Sequence, residues 1–147
     1  MKKFLSILFL LAILATNASA QNYIRQGSSK YGKILYNWDG SNLRKGQSKY
    51  NKVIYNFDGE FIRQGDSQYG TILCNWDGKF LRQGGSKYST VLFNWDGTNI
   101  RSGESRYGKI LFNRDGDRII SGDSKYGNVI WTISGSIPTP LLIFLLY

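Results

Sequence analysis

A repeat of 19 residues runs through most of this sequence and limits the folds that the chain can adopt. Serine and tyrosine recur in two columns that lie two positions apart, and each column has six members. Self-similarity at a fixed period is typical of repeat proteins, in which each unit buries its apolar face against its neighbours. The columns are Ser29, Ser48, Ser67, Ser86, Ser105 and Ser124, and Tyr31, Tyr50, Tyr69, Tyr88, Tyr107 and Tyr126. The complete units are 28–46, 47–65, 66–84, 85–103 and 104–122.

Each unit has the pattern of a β-hairpin. The run from Lys33 to Trp38 is rich in β-branched and aromatic residues, Asp39-Gly40 is a strong hairpin-turn signal, and a second apolar stretch follows around Leu43. Side chains alternate between the two faces of a strand. The predicted core face carries Ile34, Tyr36, Trp38 and Leu43, and the opposite face carries Leu35, Asn37, Asn42 and Arg44.

A glycine ends each unit and links one hairpin to the next. The column has six members, and the link is expected to need a backbone conformation that a side chain would oppose. Its members are Gly27, Gly46, Gly65, Gly84, Gly103 and Gly122.

The two ends of the repeat region complement each other. Residues 22–27 reproduce only the second strand of a unit, and residues 123–131 reproduce only the first. Pairing of these segments would make a sixth hairpin and close the array, which removes the exposed sheet edges. We therefore predict an all-β fold of tandem 19-residue hairpins, closed radially as a five- or six-fold flower or toroid. An open β-solenoid is the alternative.

The predicted repeat domain, residues 21–136, lies between two apolar segments. Residues 1–20 have the pattern of a secretory signal peptide, with a basic start, an apolar run and an A-x-A-like cleavage site that ends at Ala20. Residues 137–147 leave the repeat and are too short to span a bilayer as a helix. This tail can pack under the ring, insert shallowly into a membrane, or reflect an altered reading frame.

The charge of the chain bears on its partners. The sequence has 19 basic and 10 acidic residues, a net charge of +9, and cleavage after Ala20 would remove Lys2 and Lys3 and no acidic residue. We predict an exported protein, periplasmic, at the cell surface or secreted, with no transmembrane span in the mature chain. Such a basic protein is expected to meet envelope polysaccharide or an anionic lipid surface and not nucleic acid. A charge that serves only solubility is the alternative, and the oligomeric state stays open.

The repeat pattern resembles a known family. The string Tyr-Gly-x-Ile-Leu-Tyr-Asn-x-Asp-Gly-x-x-Ile-Arg-x-Gly is similar to the repeats of the bacterial five-fold beta-flower proteins and covers nearly all of the mature chain. The resemblance implies a small exported protein whose hairpins radiate around a central axis, with no established activity. A weaker similarity is to the choline-binding and glucan-binding repeats of cell-wall modules, in which aromatic residues of adjacent units form ligand cages.

Two columns are candidate ligand-binding residues. The aromatic column Trp38, Phe57, Trp76 and Trp95 can stack on sugar rings or cage a quaternary ammonium, although its place on the core face also fits simple packing. Arg114 occupies the fifth position of this column. The second column supplies guanidinium groups that suit carboxylates or phosphates, unless each is used by an aspartate or a carbonyl of its own hairpin. Its members are Arg25, Arg44, Arg63, Arg82 and Arg101, and Ile120 stands in the sixth place.

Three other features of the sequence are expected to be structural. Cys74 is the only cysteine and stands where other units have an aromatic residue, so it is predicted to fill the core. The basic residues before the tyrosines fit a solvated face, and the Asp-Gly aspartates fit turn chemistry better than calcium binding. These basic residues are Lys30, Lys49, Lys87, Arg106 and Lys125, with Gln68 in the remaining place, and the aspartates are Asp39, Asp58, Asp77, Asp96 and Asp115.

No residue pattern predicts catalysis. The sequence has no histidine, no nucleophile–base pair indicated by spacing and no metal cluster, so we predict neither an enzyme nor a cofactor. The sequence favours an exported binding or surface-associated module for a glycan or another anionic envelope polymer. The alternative is a purely structural or assembly protein with protein partners.

Overall fold

Twelve short antiparallel strands form a closed barrel in the computed structural model, which describes residues 21–147. The predicted signal peptide, residues 1–20, lies outside the described residues. One helix, α1, follows the strands at Thr139–Leu146. The strands are β1 Asn22–Gln26, β2 Ile34–Trp38, β3 Asn42–Lys45, β4 Val53–Phe57, β5 Phe61–Gln64, β6 Ile72–Trp76, β7 Phe80–Gln83, β8 Val91–Trp95, β9 Asn99–Ser102, β10 Ile110–Asp115, β11 Arg118–Ser121 and β12 Val129–Ser134.

The first and last strands close the ring. β1 pairs with β12 in antiparallel register, with Tyr23 opposite Ser134 and Ile24 opposite Ile133. On its other side β1 pairs with β2, so every strand has two neighbours. The composite sixth hairpin is therefore confirmed, and the open solenoid is wrong for this chain. The symmetry is six-fold because five complete hairpins and one composite hairpin close the barrel.

The strand register confirms most of the predicted core face. Trp38 lies opposite Leu43 and Asn37 lies opposite Arg44, so the two pairs point to opposite sides of the sheet. One aliphatic residue from each hairpin is at most 2% exposed and joins a single hydrophobic core. These residues are Ile24, Leu43, Ile62, Leu81, Ile100 and Ile119.

A β-bulge changes the prediction for Ile34 and Leu35. Tyr36 lies opposite Ile24, whereas Ile34 lies opposite Arg25, so Leu35 is the extra residue on β2. A bulge of this kind shifts the alternation of side chains by one position. Leu35 consequently packs against the core, and Ile34 shares the face of Arg25. The assignment of Ile34 to the core face and of Leu35 to the outer face was wrong.

The linking glycines adopt a left-handed backbone conformation. Their φ angles lie between 68° and 79° in all six copies, a range that residues with a Cβ atom rarely adopt. At Gly46 the backbone N–H also donates to the carbonyl oxygen of Leu35 at 2.7 Å. The predicted reason for the glycine column is therefore confirmed.

The C-terminal tail forms part of the hydrophobic core. Residues Pro140, Leu141, Leu142 and Ile143 of α1 are buried, and the Phe144 ring meets the Tyr55 ring edge-on at a centroid distance of 4.9 Å. A helix that is apolar on all sides needs to be surrounded by apolar groups, and the core face of the ring supplies them. Of the three roles considered for the tail, packing against the ring is the one observed. Within residues 21–147, no helix has the length and hydropathy needed to cross a bilayer.

Cys74 also belongs to the core. Its side chain is 2% exposed, and burial raises the pKa of its thiol to about 11. A thiol that is neutral and covered is a weak nucleophile. The prediction that Cys74 fills an aromatic position of the core is confirmed.

Candidate binding surface

A column of buried asparagines fixes the loops that follow the hairpins. The Asn37 side-chain amide donates to the carbonyl oxygens of Gly46 at 2.8 Å and Ser48 at 3.2 Å, so the loop folds back over the outer face of the sheet. The same two bonds recur in four further hairpins, and Thr132 replaces them with one bond to Gly27 in the sixth. The asparagines are 1–8% exposed and are Asn37, Asn56, Asn75, Asn94 and Asn113. The repetition of these asparagines is visible in the sequence, but no role was predicted for them.

Each loop presents one tyrosine to solvent. The six tyrosine side chains are 81–88% exposed, which is unusual for large aromatic residues. The serine two positions earlier shapes the loop: Ser48 Oγ accepts the Tyr50 backbone N–H at 3.1 Å, and the other five copies repeat this contact. The tyrosines are Tyr31, Tyr50, Tyr69, Tyr88, Tyr107 and Tyr126.

Basic groups lie over five of these six tyrosine rings. The Lys87 Nζ atom is 5.1 Å from the centroid of Tyr88, and the Arg106 guanidinium is 4.8 Å from that of Tyr107. Lys30, Lys49 and Lys125 make the same contact with the tyrosine that follows each of them. Such contacts place a cation on the ring face and contribute modestly at exposed sites. We call these six tyrosines and five basic residues the Tyr–Lys belt.

Four surface grooves repeat at the turn end of the ring. Three of them lie between two consecutive turns and the loop that follows, and at Trp38 residues 21–23 take the place of the first turn. They are named here after the aromatic residue that lines each one. The Trp76 groove has a volume of about 870 Å³ and the Trp95 groove about 540 Å³, against 390 Å³ at Phe57 and 140 Å³ at Trp38. The Tyr–Lys belt contributes to every groove, for example through Lys87 and Tyr88 at Trp76. We call these the turn grooves.

The aromatic column divides into two classes by exposure. Trp38 is 6% and Phe57 is 9% exposed, whereas Trp76 and Trp95 are half-buried. All four residues also pack against the hydrophobic core. Trp76 and Trp95 therefore combine packing with an accessible ring surface, and ligand binding by Trp38, Trp76 and Trp95 stays a prediction.

The predicted arginine column is paired within its own hairpins. Arg44 Nη1 donates to Asp39 Oδ2 at 2.7 Å, and the three following hairpins repeat the ion pair at 2.5–2.6 Å. Arg25 has no such aspartate and donates to Ser134 Oγ and to the Gly32 carbonyl oxygen. These arginines stiffen the turns, and a ligand would meet them as carboxylate–guanidinium pairs. Ligand contacts by Arg25, Arg44, Arg63, Arg82 and Arg101 stay a prediction.

The turn aspartates use both carboxylate oxygens internally. Asp39 Oδ1 accepts the backbone N–H groups of Ser41 and Asn42 at 2.9 and 2.8 Å, while Oδ2 accepts Arg44. Burial opposes ionisation of Asp39, but the Arg44 hydrogen bond and the two backbone N–H groups outweigh it and lower the pKa. The pKa values of Asp58, Asp77 and Asp96 are lowered in the same way. Within residues 21–147 no group of three or more His, Cys, Asp or Glu side chains could hold a metal ion.

These pKa shifts predict a loss of stability in acid. Because the folded-state pKa lies below the unfolded value of about 3.9, each ion pair stabilises the fold fully above that pH and less as the pH falls through the folded pKa. The aspartates are partly exposed, so we expect only about 0.2–1 kcal/mol from each pair. Urea unfolding at pH 6, 4, 3 and 2 measures the decline, which should be smaller when Asp39, Asp58, Asp77 and Asp96 are changed to Asn.

Asp115→Asn is the matched control for this experiment. Its hairpin has Ile120 in place of arginine, and Asp115 makes no ion pair within the described residues. The substitution therefore removes a negative charge without removing an ion pair. An unfolding free energy that declines equally with and without the four carboxylates would show that the pairs do not stabilise the fold.

The fifth hairpin departs from this arrangement. Arg114 replaces the aromatic residue, and its Nε atom donates to the Gly116 carbonyl oxygen at 2.9 Å. The turn is also tighter, since Asp115 lies directly opposite Arg118 in the register of β10 and β11, with only two residues between them. The aromatic turn grooves therefore form an arc of four consecutive hairpins and do not continue around the whole ring.

Comparison with known proteins gives one match. A family model described as a 6-fold beta flower protein matches residues 24–144, which is most of the chain. No curated protein and no solved structure matches. The six-fold description agrees with the six hairpins of the ring, so the five-fold count of the predicted resemblance is corrected to six. The chain belongs to the 6-fold beta flower protein family.

Proposed function

We propose that this protein is an exported, non-catalytic module that binds an acidic glycan of the cell envelope through its Tyr–Lys belt. The single observation that carries the proposal is the exposure of 81–88% at six repeat-related tyrosines. Exposed aromatic faces suit the C–H faces of sugar rings, and neighbouring cations suit carboxylate groups. A repeated array of such contacts gives avidity toward a polymer even when each contact is weak.

Three further features support this proposal. Membership of a hairpin-repeat family fits a non-enzymatic role. The pattern of residues 1–20 supports export. The asparagine column holds the loops toward the outer face of the sheet, so a flexible polymer can follow them from one hairpin to the next. We therefore favour a glycan over an anionic lipid surface.

The second candidate is a structural or assembly protein whose columns serve only packing. The observation that favours it is that four arginines of the predicted binding column are held by aspartates of their own hairpins. The two functions differ in the expected role of the Tyr–Lys belt. A scaffold would lose no polysaccharide affinity when the tyrosines are removed.

The test is a triple substitution in the belt. We expect Tyr50→Ala, Tyr88→Ala and Tyr107→Ala together to weaken binding to polygalacturonate at least ten-fold, because three stacking positions are lost. Isothermal titration at two salt concentrations measures the affinity, which should also fall with salt because the belt is basic. Substitution of exposed side chains is expected to leave the unfolding free energy within about 0.5 kcal/mol of wild type.

Tyr147→Ala is the matched control, because Tyr147 is also 81% exposed but lies outside the belt. Neutral dextran and vesicles of phosphatidylglycerol serve as further ligands. Equal binding by the triple variant, or binding to vesicles but to no polysaccharide, would count against the proposal.

A further inference from the structure

The turn grooves have the composition of sugar subsites. In the Trp76 groove the half-buried indole is accompanied by the Asp77–Arg82 ion pair, the Asn75 side chain and the Tyr88 ring. An apolar ring surface bordered by fixed polar groups is what a pyranose needs, since a sugar has an apolar C–H face and hydroxyl groups at its edge. Lys87 adds a cation at the groove wall, where a carboxylate of an acidic sugar can pair with it.

The Trp95 groove repeats most of these features one hairpin later, without a tyrosine in its wall. It contains the Trp95 ring, the Asp96 carboxylate that pairs with Arg101, and Arg106 in the position equivalent to Lys87. The two grooves are the largest of the four, and their tryptophans are the accessible ones. They are therefore the neighbouring pair in which a ligand can reach a tryptophan ring.

The sheet sets the distance between neighbouring grooves. Successive hairpins are two strands apart, so equivalent points are separated by about 9.5 Å at the sheet. Two pyranose units of an extended polysaccharide cover a distance of this order, whereas one unit does not. A chain that fills both grooves consequently places every second sugar in a groove.

We propose that the Trp76 and Trp95 grooves hold alternate sugar rings of one acidic polysaccharide chain. The ligand class is a polymer that presents the same pyranose face and a carboxylate at every second residue, as a uronic-acid homopolymer or an acidic disaccharide repeat does. The Phe57 and Trp38 grooves, whose aromatic rings are buried, extend the array to four consecutive hairpins through their polar walls and not through ring stacking. This inference rests on the proposed glycan-binding function and adds the spacing and the class of glycan.

Oligomers of galacturonic acid with one to eight units test the spacing. Affinity is measured by isothermal titration with the mature chain. A trimer is the shortest oligomer that reaches two grooves, a pentamer reaches three and a heptamer reaches four. We expect the affinity to rise about three-fold or more at each of these lengths and to change little at two, four and six units.

Lys87→Gln is the variant for this test, because Gln68 stands at the equivalent position of the Phe57 groove and shows that the loop accepts glutamine. Lys87→Gln should reduce the increase in affinity between the monomer and the trimer of galacturonic acid without changing thermal stability. Trp95→Phe, which copies Phe57, should retain the stepwise pattern with lower affinity.

Three outcomes are informative. Increases in affinity at three, five and seven units, reduced by Lys87→Gln, would support the alternate-sugar arrangement. Affinity that rises evenly with each added unit would overturn the spacing and leave the glycan-binding function intact. The absence of binding to every oligomer and to polygalacturonate itself, with a folded protein, would overturn both.

Discussion

Leu142→Ala is expected to lower the free energy of unfolding by about 2–5 kcal/mol. Leu142 is 1% exposed and belongs to the core cluster that joins α1 to the strands. Alanine removes the buried methine and two methyl groups and leaves a cavity that a closed ring of strands cannot easily fill. Because alanine has the highest helix propensity, the loss would come from packing and not from the helix itself. Urea unfolding followed by tryptophan fluorescence measures the change.

Leu146→Ala is the matched control for this substitution. Leu146 lies on the same helix but is half-buried, so its truncation removes less packed surface and should cost clearly less. If both substitutions lower the free energy of unfolding equally and only slightly, packing of α1 does not stabilise the core. The tail would then be an accessory segment, and the ring would need to be stable with its core face uncovered.

The role of this tail could not be predicted from the sequence for a physical reason. Residues 141–147 are all apolar and therefore have no amphipathic periodicity that would indicate which side faces a partner. The hairpins differ from the tail in this respect, because each unit contains its own alternation of apolar and polar residues and its own turn signal. Local patterns thus predicted the hairpins, whereas the position of α1 depends on the closed ring that surrounds it.

Ring closure was predictable because the two strands that close the ring carry the same residue pattern as the complete units. Residues 22–27 and 123–131 carry the complementary halves of a unit whose complete form occurs five times, so their pairing follows the same register. The bulge at Leu35 was not predictable in this way. One unpaired residue changes which side chains face the core without any change in residue type. The position of such a residue is defined only by the register of the partner strand.

The accessibility of the candidate binding residues could not be predicted from the sequence. The sequence pointed to aromatic and arginine columns, and the structure places Trp76 and Trp95 in grooves while it pairs four arginines with aspartates. The most exposed aromatic residues are instead the tyrosines, which were predicted only as part of the links between hairpins. Their exposure depends on where each loop folds. In five loops one buried asparagine donates to carbonyl oxygens 9 and 11 residues later in the chain, as Asn37 does to Gly46 and Ser48.

Those asparagine bonds lead to the second large expected effect. Asn94→Ala should lower the free energy of unfolding by about 1–3 kcal/mol, because the part-buried hydrogen bonds to the Gly103 and Ser105 carbonyl oxygens lose their donor. Asn94 is 1% exposed and donates to the carbonyl oxygens of Gly103 at 2.7 Å and Ser105 at 3.2 Å. The effect should also be local: the loop that carries Tyr107 would no longer be held against the outer face. Hydrogen exchange should therefore become faster at the backbone N–H of Gly108, which donates to Ser105.

Asn94→Thr separates the hydrogen bond from the loss of side-chain volume. The sixth hairpin uses Thr132 at this position, and its Oγ1 atom donates to the Gly27 carbonyl oxygen at 2.7 Å. Threonine at 94 should retain the bond to Gly103 and lose the bond to Ser105, so both the stability and the exchange rate should lie between wild type and alanine. If threonine behaves like alanine, the column acts by packing, and the outward display of the tyrosines would need another cause. If it behaves as expected, one repeated amide couples the stability of the ring to the presentation of its proposed binding surface.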